Sequence, residues 1–596
     1  MSAIIRCLVA TAVLAGATTA AGQGGRPGGG FGQPGQFPGG AGGGGGQQRR
    51  GGGMRDAGPP VAGTGVLRGR VVGGDTGGPL RRALVRLTGQ EMREGKMTTT
   101  DEQGRWEIHD LPVGRFNLTA SKAGYVTLQF GQRRPFEQGR PVDLADGQAL
   151  ENVNFNLPRG AVIAGRINDE YGDPVAEASV TAMRYRFFNG QRRLIPVGRF
   201  SQTDDGGNFR IYGLAPGDYY LTATLRTGMG MFADNDPSSR QSYSPTYYPG
   251  TGSAQQAERV TVGLGAEVDG VTFALQPVRT IKVSGTALDS QGRPMTGAMV
   301  QLVEEAGDGE NMMMMRSFGP NNRVDGAGHF SVSNVAPGEY TLMASEMRPP
   351  GEGADPEVAQ AKITTGSEDL TGVTLVGSRG AIIRGIVAFD GQQGSGGSAK
   401  LSSVSLTAIA RNPNATPAFR FGPGMRDTAN DDGTFELRAS AGPVLIRTMR
   451  APQGYLLKSV LLGGQDVTDT GLTLKSGETL SGVQVILTSR STSLSGTVTD
   501  SKGDPASDYA VIVFAEDSTK WGFMSRYISM ARPDQQGAFQ VKQLPAAHYL
   551  VVAVAYLEDG EQTNPETLER LRPLATGLDL AEGDQKTLAL KLTPNY

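Results

Sequence analysis

The chain has 596 residues, a formal net charge of −2 and only 19% charged residues, with 88 glycines. A balance this neutral lacks the concentrated basic face that nucleic acid demands, and the length allows roughly four domains, or more if each is small. The one cysteine, Cys7, lies in the first apolar run, so disulfides, thiolate catalysis and cysteine metal sites are excluded from everything after it.

Residues 1–22 read as an export signal. Arg6 supplies a positive start, Cys7-Leu-Val-Ala-Thr-Ala-Val-Leu-Ala15 is the apolar run, and Ala17-Thr-Thr-Ala-Ala-Gly22 offers a cleavage site. The run is shorter than the about 20 residues a membrane helix needs, and no later segment is apolar enough to span a bilayer. Residues 23–62 are Gly/Gln/Pro-rich, with too little apolar surface to offset ordering entropy, and are expected to form a disordered leader.

Beyond the leader a signature Asp-x-x-Gly-x-aromatic recurs, starting at Asp101, Asp204, Asp325, Asn430 and Asp534, with spacings of 103, 121, 105 and 104. Solenoid repeats run roughly 20–50 residues, whereas a β-sandwich takes about 100. The expected units are therefore residues 63–158, 159–278, 279–377, 378–490 and 491–596. Each opens with an alternating strand around one glycine (Gly69, Gly165, Gly285, Gly385, Gly496), which marks a bulge or a close backbone approach. A Gly-x-Pro turn follows in four of them, ending at Pro79, Pro174, Pro294 and Pro505. The aromatics Trp106, Phe209, Phe330, Phe435 and Phe539 should enter the core. A Pro/Gly turn then leads to Phe116, Tyr219, Tyr340 and Tyr549, always 15 residues after the Asp, which predicts one rigid hairpin reused. Unit four lacks this aromatic at Ala441-Gly-Pro-Val-Leu445. Alternating strands such as Val271-Thr-Phe-Ala-Leu275 close each unit, and connectors as short as Pro158-Arg-Gly predict end-to-end packing in a semi-rigid rod. One helix is signalled: Asn564 caps, Pro565 begins it and Pro573 stops it.

On these residues the chain resembles the carboxypeptidase regulatory-like domain family, whose pattern is Gly-x-Val, Gly-x-Pro, then Asp-x-x-Gly-x-Phe and Leu-x-Pro-Gly-x-Tyr. Residues 65–125 follow it almost throughout, 160–225 and 283–345 well, 380–450 and 492–555 more loosely. Tyr247-Tyr-Pro-Gly-Thr251 and Gly463-Gly-Gln-Asp-Val-Thr-Asp-Thr470 are similar to multi-repeat exported bacterial members. The resemblance implies a transthyretin-like or starch-binding-like sandwich of about seven strands per unit, without peptidase activity, and carbohydrate binding by analogy of fold. The fold class expected is all-β: a tandem array of about five antiparallel Greek-key β-sandwiches behind a disordered Gly-rich leader.

Chemistry is sparse. His109, His329 and His548 are isolated, which does not suit the converging ligands of a zinc site, and no Gly-x-Ser-x-Gly elbow supports a triad. Gly89-Gln-Glu-Met-Arg-Glu-Gly95-Lys96 has the wrong spacing for a phosphate loop and no helix to follow it. Asp234-Asn-Asp236 lacks the remaining ligands of a calcium loop, and Met312–Met315 reads as a pliable anchor. No catalytic residue, metal or cofactor is expected. The binding candidates are aromatics in long loops, Tyr185, Phe187, Phe188, Tyr243, Tyr247 and Tyr248 with Arg184, Arg192, Arg193 and Arg199 beside them, and Trp521 with Phe523 and Tyr527. Exposed, they would stack on sugar faces; otherwise they pack on each other or on neighbouring units. The function expected is a non-catalytic exported binding protein, periplasmic, surface-associated or secreted. Its partner would be a polysaccharide or an envelope protein; the alternative is a spacer or interaction rod.

Overall fold

The computed structural model describes residues 63–593 except 90–91, 93–94, 189, 226–240, 305–314, 317–321, 347–356, 392–398, 412–426 and 453. The signal and leader, Asp234-Asn-Asp236 and Met312–Met314 lie outside the described residues. The described residues are mostly strands, with one α-helix among them, Pro565–Leu571, where the cap and the two prolines place it.

Five apolar clusters succeed one another along the chain, centred on Phe116 and Phe155, on Phe209 and Tyr219, on Phe330 and Tyr340, on Phe435 and Ile446, and on Phe539 and Tyr549. The opening strand of each unit is central to one sheet: Gly65–Gly73, Ala161–Asn168, Ile281–Leu288, Ala381–Phe389 and Ser493–Thr499. On one side it pairs antiparallel with the strand after the Asp turn, such as Asn208–Leu214; on the other it pairs parallel with the closing strand, such as Glu267–Ala274. First and last strands of a unit thus lie side by side, and every unit has at least one parallel pair where the sequence pattern suggests only antiparallel neighbours. The crossover that a parallel pair needs is the rest of the unit.

The repeated glycine sits at this parallel seam. A Cβ on Gly69, Gly165, Gly285, Gly385 or Gly496 would lie 1.8–2.0 Å from the carbonyl oxygen of Val153, Val271, Val373, Val483 or Leu588. Each is also the cross-strand partner of its unit's aromatic: Gly69 of Trp106, Gly165 of Phe209, Gly285 of Phe330, Gly385 of Phe435, Gly496 of Phe539. Glycine and aromatic are one device, the missing side chain making room for the ring and the neighbouring strand.

The expected reused hairpin is instead an arch. Arg105–Leu111 pairs with the opening strand, whereas Gly114–Ser121 pairs with Leu84–Gly89 in the other sheet, and the two never pair with each other. In the remaining units the two strands likewise take different partners and never pair with each other, although in units three and five a continuous path of paired strands joins the two faces. The Pro/Gly turn carries the chain from one sheet to the other, and the buried aromatic after it fills the space between them. Tyr219 and Tyr549 lock the arch by donating to the carbonyls of Ala215 and Pro545, four residues upstream, at 2.6 and 2.8 Å. In unit four Val444 occupies the position, buried, and the strand Gly442–Arg450 keeps its pairing. At the start of the arch the Asp side chain binds the turn: Asp325 Oδ1 accepts from the amides of Ala327 and His329, and Asp534 Oδ1 from those of Gln536 and Ala538. Such bonds, led by the His329 amide, hold the Asp325 carboxyl below its ordinary range.

The connectors are short, but the units do not form a rod. Unit five packs against units one and two, nearly 400 residues back along the chain.

Candidate functional site

The place where three units meet is built from residues that no motif marks. Between Leu128–Gln129 and Val142–Leu144, unit one extends a loop with Phe136 in the left-handed region at φ 61°. Its carbonyls are taken up by unit five: Asp559 donates its amide to Phe136 at 2.9 Å, and the Tyr556 hydroxyl donates to Pro135 at 2.8 Å. Arg140 Nε donates to the carbonyl of Pro533 at 3.1 Å, and Arg134 reaches the carbonyl of Ala555. The Glu137 side chain is completely buried and faces the equally buried Arg532, with nitrogen–oxygen distances of 3.3 and 3.4 Å. Arg532 also meets Asp508 at 2.6 Å, and the Arg133 amide donates to Glu137 at 2.5 Å.

Unit two contributes a β-hairpin. The Arg/aromatic segment expected in a long loop is strand, Ser179–Phe188 paired with Gln191–Pro196, and its alternation sorts the side chains. Arg184 makes a two-pronged pair with Glu558 at 2.9 and 3.1 Å and lies 3.6 Å over the Phe136 ring. Arg186 donates to the carbonyl and carboxylate of Asp559 at 2.8 and 3.1 Å, and the Gly190 amide donates to Thr563 Oγ1 at 3.2 Å. Burial pushes the Glu558 carboxyl above its ordinary range; the charge and hydrogen bonds of Arg184 counter part of that.

The aromatics proposed from sequence divide. Tyr247 is buried with Met183, Leu194 and Ala254, and half-buried Tyr185 packs on that cluster. Tyr185 meets Tyr220 edge-on at 5.2 Å and lies under Arg192 at 4.1 Å. Tyr248 packs edge-on against Phe273 at 5.9 Å, and the Tyr243 hydroxyl donates to Glu170 Oε2 at 2.6 Å. Phe187 is half-buried, its backbone against Gly560; Phe188 ends the strand Ser179–Phe188. Tyr185, Tyr247 and Tyr248 thus each pack on neighbouring side chains of unit two. Trp521 is buried at 5% exposure, with Nε1 donating to the carbonyl of Ala515 at 2.7 Å and its ring edge-on to Phe514. It nevertheless walls two clefts. One, of about 660 Å³, is lined by Ser518, Thr519, Trp521, Gly522, Pro565, Glu566 and Glu569. The other, of about 250 Å³, lies on the junction side of Trp521 and Gly522.

The three histidines lie on strands. His109 is near Glu107 at 3.2 Å, and His548 Nδ1 is 2.7 Å from Asp579. Among the described residues no group of three or more His, Cys, Asp or Glu could hold a metal ion, and no helix is long and apolar enough to cross a membrane.

The arch, the seam glycine and the Pro/Gly turn recur in all five units, and in unit one they coincide with a known pattern. Residues 66–158 match the carboxypeptidase regulatory-like domain family. The carboxypeptidase regulatory-like match includes the loop that carries Phe136 and Glu137 and ends at the connector to unit two. No curated protein matches the chain. Among solved structures the chain is similar to the Bacillus anthracis TIE protein, at 12% identity over 72% of each chain and a TM-score of 0.14. It is similar to GBS52, the minor pilin of Streptococcus agalactiae, at 16% identity over 36% of this chain and 97% of that one, with a TM-score of 0.21. It is also similar to BcpA, the major pilin subunit of Bacillus cereus, at 13% identity over 52% and 99%, with a TM-score of 0.13. These likenesses are too distant to bear on this chain's ligand or partners.

Proposed function

We propose that this protein is a non-catalytic, exported binding protein of the cell envelope, with carbohydrate as its ligand and unit five as its binding unit. The observation that carries the reading is the open cleft of about 660 Å³ beside Trp521, where indole and Pro565 provide apolar wall and Ser518, Thr519, Glu566 and Glu569 provide polar rim. A sugar ring asks for this combination of an apolar face and hydroxyl partners. Half-buried Tyr185, Tyr243 and Tyr248 in unit two are weaker candidates, since they pack against neighbouring side chains. The return of unit five onto units one and two counts against the spacer reading, because a spacer gains reach only by staying extended.

The test is a screen of the full chain against glycans and envelope polysaccharides, alongside a Pro565→Ala, Glu569→Ala variant verified as folded. Binding by the wild type that weakens at least about tenfold in the variant, about 1.4 kcal/mol, supports the reading. Absence of binding to every polysaccharide overturns it in favour of protein docking.

A further inference from the structure

The smaller cleft differs from the open one in composition and position. It is lined by Gln138 from the unit-one loop and, from unit five, by Trp521, Gly522, Met524, Ser525, Ile528, Ser529, Met530, Gln562 and Thr563. No charged side chain is among them, in a junction otherwise crowded with Arg133, Glu137, Arg532 and Asp508. Several of its polar groups are already engaged: Thr563 Oγ1 donates to the Gly560 carbonyl, and Ser525 Oγ accepts from the Tyr527 amide. Gln562 uses its oxygen to accept from the Gly560 amide at 2.8 Å, which leaves its NH₂ group to donate elsewhere. Gln138 follows directly on Glu137, so the Glu137–Arg532 pair fixes its backbone against unit five.

We propose that this cleft is a second ligand site that takes one uncharged, hydroxyl-bearing sugar ring, and that its ligand fastens unit one to unit five. The inference rests on the carbohydrate-binding reading and adds a distinct site, ligand charge and consequence. Three features lead to it. Sites for drug-sized ligands run roughly 300–1,000 Å³, so about 250 Å³ admits a single ring rather than an extended peptide. A wall without charge offers no counter-ion to a uronate or an amino sugar, whose desolvation would go uncompensated. Amide side chains both donate and accept, as sugar hydroxyls do, while Trp521, Ile528 and the two methionines supply apolar wall. Because Gln138 comes from one unit and Gln562 from another, a ligand held by both binds the closed junction and not the open one. It therefore stabilises closure by mass action.

The experiment is titration of the full chain with glucose, galactose and N-acetylglucosamine, against glucuronate, glucosamine and a neutral Gly-Gln-Gly peptide. Calorimetry reads binding, and amide hydrogen exchange of residues 131–141 reads closure. The expected result is that a neutral sugar binds and slows exchange of that loop. Gln138→Ala and Gln562→Ala should each weaken binding about tenfold and abolish the slowing. A neutral sugar that binds both glutamine variants as tightly as the wild type overturns the site while leaving carbohydrate binding in place. Preference for a charged sugar or for the peptide overturns the ligand class. No binding by any probe up to millimolar concentration overturns this site even if polysaccharides bind at the open cleft.

Discussion

Glu137 and Arg532 show how little a residue's type says about its task. Both side chains are at or below 1% exposure, so each neutralises a charge that water cannot reach. Removing one partner from such a pair costs about 3–5 kcal/mol, because the other remains buried and charged. Arg532→Ala is accordingly expected to open the junction, seen as an increased radius of gyration in solution scattering, with a lowered melting temperature for unit five. Glu137→Gln combined with Arg532→Met should cost less than Arg532→Ala alone, which chemical denaturation can rank. At the parallel seam, Gly165 leaves no room for a methyl group 1.8 Å from the Val271 oxygen. Gly165→Ala should destabilise unit two by about 3 kcal/mol, the upper part of the range for overpacking, whereas a substitution made only against strand propensity costs less than about 1 kcal/mol. An unchanged denaturation midpoint would show that the seam can spread.

At the scale of elements, spacing alone could not separate a hairpin from an arch. The constant offset between Asp101 and Phe116 correctly signals a rigid turn, but both geometries keep the offset constant, and only the strand partners distinguish them. The Arg/aromatic segment of unit two raised the same difficulty. Arg184 and Arg186 alternate with Tyr185 and Phe187, a period-two pattern that fits a strand, yet the segment reads in sequence as part of a long loop. Polar residues occupy a strand here because unit five covers that face and supplies Glu558 and Asp559 to pair with it. The helix was legible because its signals are local: Asn564 Oδ1 accepts the Glu566 amide at 3.0 Å, and Pro565 fills the first position. Asn564→Ala should cost about 1 kcal/mol of cap energy. Since Leu568 and Leu571 anchor this helix beneath the open cleft, the same substitution should weaken ligand binding there, measured by calorimetry.

Across the whole molecule, units four and five are joined by a second charged seam. Asp469 of unit four is held by Arg526 of unit five at 2.7 and 3.0 Å, with Arg447 at 3.3 Å, and Asp390 and Glu582 share Lys458. Burial, the largest influence on Asp469, pushes its carboxyl up, but the hydrogen bond and charge of Arg526 and the charge of Arg447 together bring it below the ordinary range. Asp390 is lowered as well, chiefly by its hydrogen bond to Lys458. Carboxyls depressed in the folded state contribute stability that is present above the unfolded value of about 3.9 and lost as the pH falls through the folded one. The seam should hold from neutral pH down to about 4 and loosen below it. Amide exchange around residues 456–470 should report that onset, and Asp469→Asn should remove most of the acid dependence.

The chain's own pattern determined what depends on neighbours in sequence: five units of about one hundred residues, their strands and turns, the aromatics at their centres and the capped helix. Such features follow from period, propensity and local hydrogen bonds, which each segment carries with it. Tertiary structure decided which strands share a sheet, why the seam glycines are needed, and that unit five returns to units one and two. Those outcomes depend on pairing between segments far apart in the chain, as with Glu137 and Arg532. Each of those residues alone reads as an ordinary surface charge until the fold takes water away from both.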